Sequence, residues 1–273
     1  MGNFSPSPRA FAAHRALWWQ FTLRAIEMRH RGSYLGFVWA VLTPLFTAAL
    51  YVVVFGYIFG GRFHVLPNET GKDYAIGVFL GLLLFHLVAE TMAVAPTIVL
   101  SQPNLVKKVV FPVEILSLAQ LGAFWFHAMI SLALVAISAA TIGHGLSLTG
   151  LAWLPLILLP LVLLTVGLGW LLAAAGVYFR DITQIVPLLS QILLWSSAVF
   201  FTPERIAEKS AFGWSILKWN PLLHTIDLAR DALLFDQPVN GLHLAYTWGF
   251  GAAMFALGYA VFRASKRTFA EAL

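Results

Sequence analysis

From Ile115 to Phe179 the chain runs 65 residues without an Asp, Glu, Lys or Arg. A helix that crosses a bilayer needs about 20 mostly apolar residues, so this stretch holds two crossings and a turn. Glycines and small polar residues from Gly143-His144-Gly145 to Thr149-Gly150 place the turn and divide the stretch into spans near 115–142 and 151–179. Other charge-poor windows predict four more spans: Gly32 to Gly61, about Tyr74 to Leu100 with one acid at Glu90, the segment between Asp181 and Glu204, and Gln237 to Phe262. Lipid offers no hydrogen bonds to backbone N–H and C=O groups, so every span is read as helix. The expected fold is all-α and integral to the membrane: one transmembrane domain over 1–273, with six transmembrane helices in 34–262 and a short tail at 263–273.

Two flanking patterns add to this. Within residues 1–33, Trp18, Phe21, Ala25 and Met28 share one helical stripe, and Gln20, Arg24, Glu27 and Arg31 another. That periodicity predicts an amphipathic helix lying in the membrane interface, its arginines at the headgroups. Glu27 and Arg31 stand at i,i+4, a spacing that suits an ion pair. The segment from Pro203 to Asn240 is too apolar for a solvated loop, with Trp214, Trp219, Leu222, Leu223, Ile226, Leu233 and Phe235. One or two short re-entrant helices between spans five and six are expected there, covered by protein or lining a cavity.

Composition agrees, with 60% hydrophobic and 11% charged residues. Cysteine is absent, which excludes disulfides, thiolate metal sites and cysteine nucleophiles. No cleavable signal is evident, so the first span is expected to serve as an uncleaved insertion signal. The basic residues set an orientation. With the N-terminus inside, inner segments carry Arg9, Arg15, Arg24, Arg29, Arg31, Lys107, Lys108, Arg180, Arg263, Lys266 and Arg267, against Arg62, Lys72, Arg205, Lys209, Lys218 and Arg230 outside. Both termini are therefore expected in the cytoplasm. The formal charge of +5 is a topology signal rather than a sign of nucleic-acid binding.

The candidate chemistry is sparse. No phosphate-binding Gly-x-x-x-x-Gly-Lys-Ser/Thr loop occurs; Gly71-Lys72 lacks the upstream glycine and the hydroxyl residue. No clustered His and carboxylate set suggests a metal. His86 and Glu90, at i,i+4 in the second span, are read as a hydrogen-bonded pair. An acid in a span costs about 2.5–3.5 kcal/mol at its centre, so Glu90 should face protein or water. His127 is read as a satisfied core histidine. Ser196 and Ser197 have no base at triad spacing. No catalytic residue is assigned. A membrane-embedded lipid-modifying enzyme would have to draw on His86, Glu90 and His127.

Three local patterns, in order along nearly the whole chain, resemble the permease subunits of type-2 ABC exporters of surface polysaccharide. The first is Arg29-His30-Arg31-Gly32-Ser33-Tyr34-Leu35-Gly36, then Trp39 and Leu42-Thr43-Pro44-Leu45, similar to the family's approach to span one. The second is Asn104-Leu105-Val106-Lys107-Lys108-Val109-Val110-Phe111-Pro112, which looks like its ATPase-coupling segment. The third is Tyr178-Phe179-Arg180-Asp181, followed by Trp219-Asn220-Pro221-Leu222 and Ala229-Arg230-Asp231. It resembles the family's hinge and far-side gate, with Asp181 as N-cap of span five. Ser197-Ala198 stands where Ser-Pro is frequent, which puts a kink there in question; Ser117 replaces a frequent proline and Val113 a frequent basic residue.

The resemblance implies a homodimer in the inner membrane with two copies of a separate ATPase, and lipid-linked polysaccharide as cargo: O-antigen, capsule or teichoic acid. ATP and Mg would reside on that partner, with no cofactor on this chain. Export proteins of the periplasm and outer envelope are further implied partners. It assigns coupling to Asn104, Leu105, Lys107, Lys108, Phe111 and Pro112 with Glu27 and Arg31, hinge action to Arg180 and Asp181, and gating to Asn220, Pro221 and Arg230. Aromatics at the outer halves of spans one and five, Tyr57, Phe59, Trp195, Phe200 and Phe201, could give sugars a surface to slide on. Tyr57 and Trp195 add hydrogen-bond donors. The same architecture moving a drug or small lipid is the alternative.

Overall fold

The computed structural model describes residues 8–58, 60–108 and 112–269, without the side chains of 8–13, Val52, Phe55, Val106, Lys107, Lys108 and Arg267. The described chain is helical throughout, with no strand. Helix α1 (Pro8–His30) leads into a turn at Gly32, whose φ of 84° lies in the left-handed region that glycine adopts without strain. A 3-10 turn (Gly36–Val38), α2 (Trp39–Tyr51) and a π-helical segment (Val52–Ile58) form one continuous rod. Then come α3 (Gly71–Ile98), α4 (Pro103–Lys108), α5 (Glu114–Ile142), α6 (Leu148–Tyr178) and α7 (Ile182–Ser196). Short helices α8 (Pro203–Lys209) and α9 (Ala211–Leu217) precede α10 (Pro221–Leu234), α11 (Gly241–Ser265) and a 3-10 turn (Lys266–Thr268).

Five of these are long and apolar enough to cross a membrane: Gly36–Ile58, α3, α5, α6 and α11. The expected fifth span is present as α7, but with 15 residues it is shorter than a full crossing. α3 is the central post, with 72% of its apolar window buried, whereas the first rod buries only 12%. Thr70 and Asp73 start α3 with a reciprocal capping box, and Asp73 also accepts from the His144 backbone N–H at 3.0 Å, tying α3 to the α5–α6 turn.

Between helices in lipid, close packing replaces the hydrophobic effect as the cohesive force, so small residues mark the contacts. α6 and α11 cross where a Cβ on Gly258 would stand 1.9 Å from the Gly167 carbonyl oxygen, and one on Gly167 2.3 Å from that of Met254. Trp170 fills the space beside this crossing, its ring 5.3 Å from Phe255 and 5.5 Å from Tyr259. α10 enters the same body: Leu223, Ile226, Ala229 and Leu233 have no exposure, and Ser147 N–H donates to the Leu233 carbonyl at 3.1 Å.

Some expectations need correction. α1 packs on α5 through Trp18, Thr22 and Ile26, where Trp18 Nε1 donates to the Leu118 carbonyl at 3.1 Å. A Cβ on Gly122 would meet Thr22 at 2.9 Å. The helix therefore docks on protein through one part of its surface, while Met28 of the predicted stripe is 60% exposed. Within the expected tail, the described residues 263–269 are ordered against the body: α11 continues to Ser265, and Lys266 and Phe269 are buried.

Glycines of α11 should separate by what their Cβ would meet. Gly258→Leu is expected to part α6 from α11 and cost about 3 kcal/mol or more. Gly249→Ala, with nothing within 4 Å of the new Cβ, should leave stability unchanged or raise it by about 0.5–1 kcal/mol. Thermal unfolding of both variants in one detergent checks the contrast.

Candidate functional site

At the end of α1, Arg29 reaches across to α3 and donates to both carboxylate oxygens of Glu90, at 3.0 and 2.5 Å. This bidentate pair raises the guanidinium above its ordinary range. Glu90 therefore has a cation partner, and the expected His86–Glu90 hydrogen bond is not formed. The Glu27–Arg31 ion pair is also absent among the described contacts, because both side chains point to solvent. His127 is satisfied as expected: Nδ1 lies 2.7 Å from the Ala123 carbonyl, and Nε2 lies 2.8 Å from Nε2 of His30. Arg29, His30, His86, Glu90 and His127 share one polar end of a cavity of about 290 Å³, whose walls include Pro44, Phe79, Leu83 and Phe124. The cost of an acid in a span pointed to protein or water around Glu90; that Arg29 meets it depends on how α1 docks.

The predicted coupling segment forms α4. Asn104 is exposed, Leu105 half-buried and Pro112 buried at the approach to α5. The side chains of Lys107 and Lys108, and all of Phe111, lie outside the described residues. Arg180 and Asp181 stand exposed at the α6–α7 junction. Asp181 occupies the N-cap position of α7 but makes no side-chain cap bond, since its backbone is already helical. The junction is held by backbone contacts, with Gln184 N–H donating to the Asp181 carbonyl at 2.9 Å.

At the opposite end, α7 stops at Ser196 and the chain reverses through Ala198, whose φ of 54° is left-handed. No proline is needed for this break; two residues of the predicted gate hold it. Asn220 caps α10 through Oδ1, which accepts from Leu222 N–H at 3.0 Å. Its Nδ2 donates to the Ser196 carbonyl at 3.0 Å and to the Ser197 hydroxyl at 3.0 Å. Pro221 at the first helical position fixes the direction of α10. Arg230 has no exposure, donates Nη2 to the carbonyls of Ala198 at 2.8 Å and Val199 at 3.2 Å, and lies 3.9 Å over the Phe63 ring. A cation so far from water persists only with such compensation. Asp227 and Asp231 are neighbouring carboxyl groups on the same helix. Phe63 was not singled out in the sequence, since nothing local shows that a loop ring would stack under Arg230.

The aromatic group is partly assembled. Trp195, 46% exposed, stands 5.3 Å from Phe200, and Phe200 stacks on Tyr51 at 5.2 Å. Tyr51 thus joins the predicted set. Phe200 is buried and works as a backing ring, and Phe201 is half-buried. Tyr57 projects freely at 72% exposure; Phe59 lies outside the described residues. Tyr57 continues an exposed apolar face of the first rod with Phe46, Leu50 and Val53, and Trp195 continues one on α7 with Leu188 and Ile192.

A chain with a docked surface helix, a basic turn after its second span and a helix folded back into the body matches a known transporter class. It belongs to the ABC-2 type transporter family, whose profile covers residues 16–234. It is a membrane-embedded permease of that family. The O-antigen export system permease protein RfbA of Klebsiella pneumoniae is 24% identical over 252 residues, covering 92% of this chain and 93% of the relative. The polysialic acid transport protein KpsM of Escherichia coli is 26% identical over 245 residues, covering 88% and 90%. RfbA of Myxococcus xanthus is 23% identical over 229 residues, 84% of each chain.

The Arg230 clamp yields two opposite outcomes. Arg230→Met leaves two buried carbonyls without their donor and should cost about 3 kcal/mol. Ala198→Gly removes the left-handed strain and should add about 1 kcal/mol. The unfolding temperature of each variant, measured in detergent, checks the signs.

Proposed function

We propose that this chain is the permease subunit of an ATP-driven exporter that carries lipid-linked surface polysaccharide, O-antigen or capsule, across the inner membrane. The observation that carries this reading is the family match, which spans α1, α4 and α10 as one unit. The names of the relatives favour polysaccharide over a drug or small lipid as cargo. In this reading α7 completes a sixth span together with the residues after its break, and α8 to α10 form the re-entrant segment on the far side. The excess of basic residues beside α1, α4 and the α6–α7 junction supports cytoplasmic termini.

Two copies of the chain face each other across the first rod and α7. Support for this comes from the exposed apolar faces of both helices, which the chain's own fold leaves uncovered. The aromatic positions Tyr57 and Trp195 fall on those faces and offer sugar rings flat surfaces with a donor at the edge. Two copies of a separate ATPase, which would bind ATP and Mg, supply the work. On this chain, α4 with Phe111 and Pro112 receives the motion, α1 with Glu27 and Arg31 borders the contact, and Arg180-Asp181 lets α7 swing. Asn220, Pro221 and Arg230 hold the outer end of α7, so that a tilt there changes the opening between the copies. Export proteins of the outer envelope take the chain onward.

Co-purification of a separate ATPase with this permease tests the reading. Lys107→Glu and Arg180→Ala should each lower surface polysaccharide on intact cells about tenfold or more while the protein still inserts. Undiminished export from both variants, or export without any ATPase, would remove the proposal.

A further inference from the structure

The start of α5 is anchored by groups with no part in the site described so far. α5 begins at Glu114, whose carboxylate is buried and accepts from Lys266 Nζ through both oxygens, at 2.8 and 3.0 Å. Both side chains are almost fully out of solvent, at 7% and 2% exposure. Desolvating two charges carries a penalty that their attraction does little more than offset. The pair is therefore a poor source of stability and a strong constraint on geometry. Trp170 of α6 donates Nε1 to the Glu114 backbone carbonyl at 3.4 Å, so the start of α5 is gripped from two helices.

The same C-terminal segment also touches the end of α6. The Tyr178 hydroxyl donates to the Ser265 carbonyl at 3.2 Å and is hydrogen-bonded to the Thr268 hydroxyl. Phe269 has no exposure, and its ring lies 5.3 Å from Phe262 and 6.4 Å from Tyr178. Residues 265–269 are thus a wedge with two contacts. One is Glu114, next to the α4 segment; the other is Tyr178, next to Arg180.

We infer that Lys266 and Glu114 are positioning residues for transport, fastening this wedge so that displacement of the start of α5 is passed through Lys266 and Tyr178 to the α6–α7 junction. The inference rests on the proposed role of the 103–112 segment as the contact for the ATPase. Packed contiguity alone does not establish coupling, so the test must read coupling itself.

The double variant Glu114→Leu/Lys266→Met removes both charges and leaves no unpaired polar side chain at either position, a replacement that buried ion pairs often tolerate without loss of stability. Surface polysaccharide is measured on intact cells, and ATP hydrolysis on the permease–ATPase complex purified from the same cells. Membrane level, ATPase co-purification and hydrolysis should stay within about twofold of wild type, while surface polysaccharide falls about tenfold. Lys266→Arg, which keeps the charge, should restore most of the export. Wild-type export from the double variant would overturn the inference. So would export and hydrolysis that decline together in proportion to lost protein, or an Arg variant as impaired as the neutral pair. A wild-type chain that captures no ATPase would instead sink the proposed function itself.

Discussion

A backbone that leaves its helix among apolar side chains must find new partners for its carbonyl groups. That constraint is met at one place on which the rest of this protein depends, the end of α7. Ser196, Ala198 and Val199 turn out of the helix, and the carbonyls that the turn exposes are taken by Asn220 and Arg230. Both donors come from α10, so the chain can break α7 only because α10 folds back into the bundle. Arg230 in turn lies at full burial over the Phe63 face, with Asp227 and Asp231 nearby. The outer end of α7 is thereby fixed to a rigid body, while at its other end Arg180 and Asp181 are exposed, the Thr183 hydroxyl donates to the Arg180 carbonyl, and Val186 is buried.

The body that provides the fixed point is built without large forces. Glycines let α6 and α11 approach until backbone meets backbone, and α3 fills the centre with apolar residues. One cavity gathers polar groups, where Arg29 answers Glu90 and His30 answers His127, while buried hydroxyls such as Thr91 and Thr165 bond back to their own helices. The first rod and α7 are left largely outside this packing. Their exposed apolar faces are what a second copy and a cargo path would use in the proposed exporter.

Much of this was legible in the sequence because lipid imposes a blunt pattern. Charge-free windows located the helices to within a few residues, and the apolar run after Pro203 announced α10. Local motifs also served where the function is local: Gly32 takes the left-handed turn, and Asn220-Pro221 caps and starts a helix. Partnerships were harder to read. Arg29, rather than His86, meets Glu90, because helix docking and not spacing selects the pair. Asp181 lacks a cap bond, since α7 begins from backbone that is already helical. The break at Ala198 carries no proline signal, as the donors that hold it lie 22 and 32 residues further along the chain. The Lys266–Glu114 pair spans 152 positions and has no local trace.

The central claim is that two copies face each other across the first rod and α7, and that the ATPase changes the gap between them. The natural absence of cysteine allows a single spin label at Tyr57→Cys in the permease–ATPase complex, read by pulsed dipolar spectroscopy. The account predicts one label-to-label distance between copies, which lengthens when nucleotide binds. No inter-copy distance, or one unchanged by nucleotide, would contradict it.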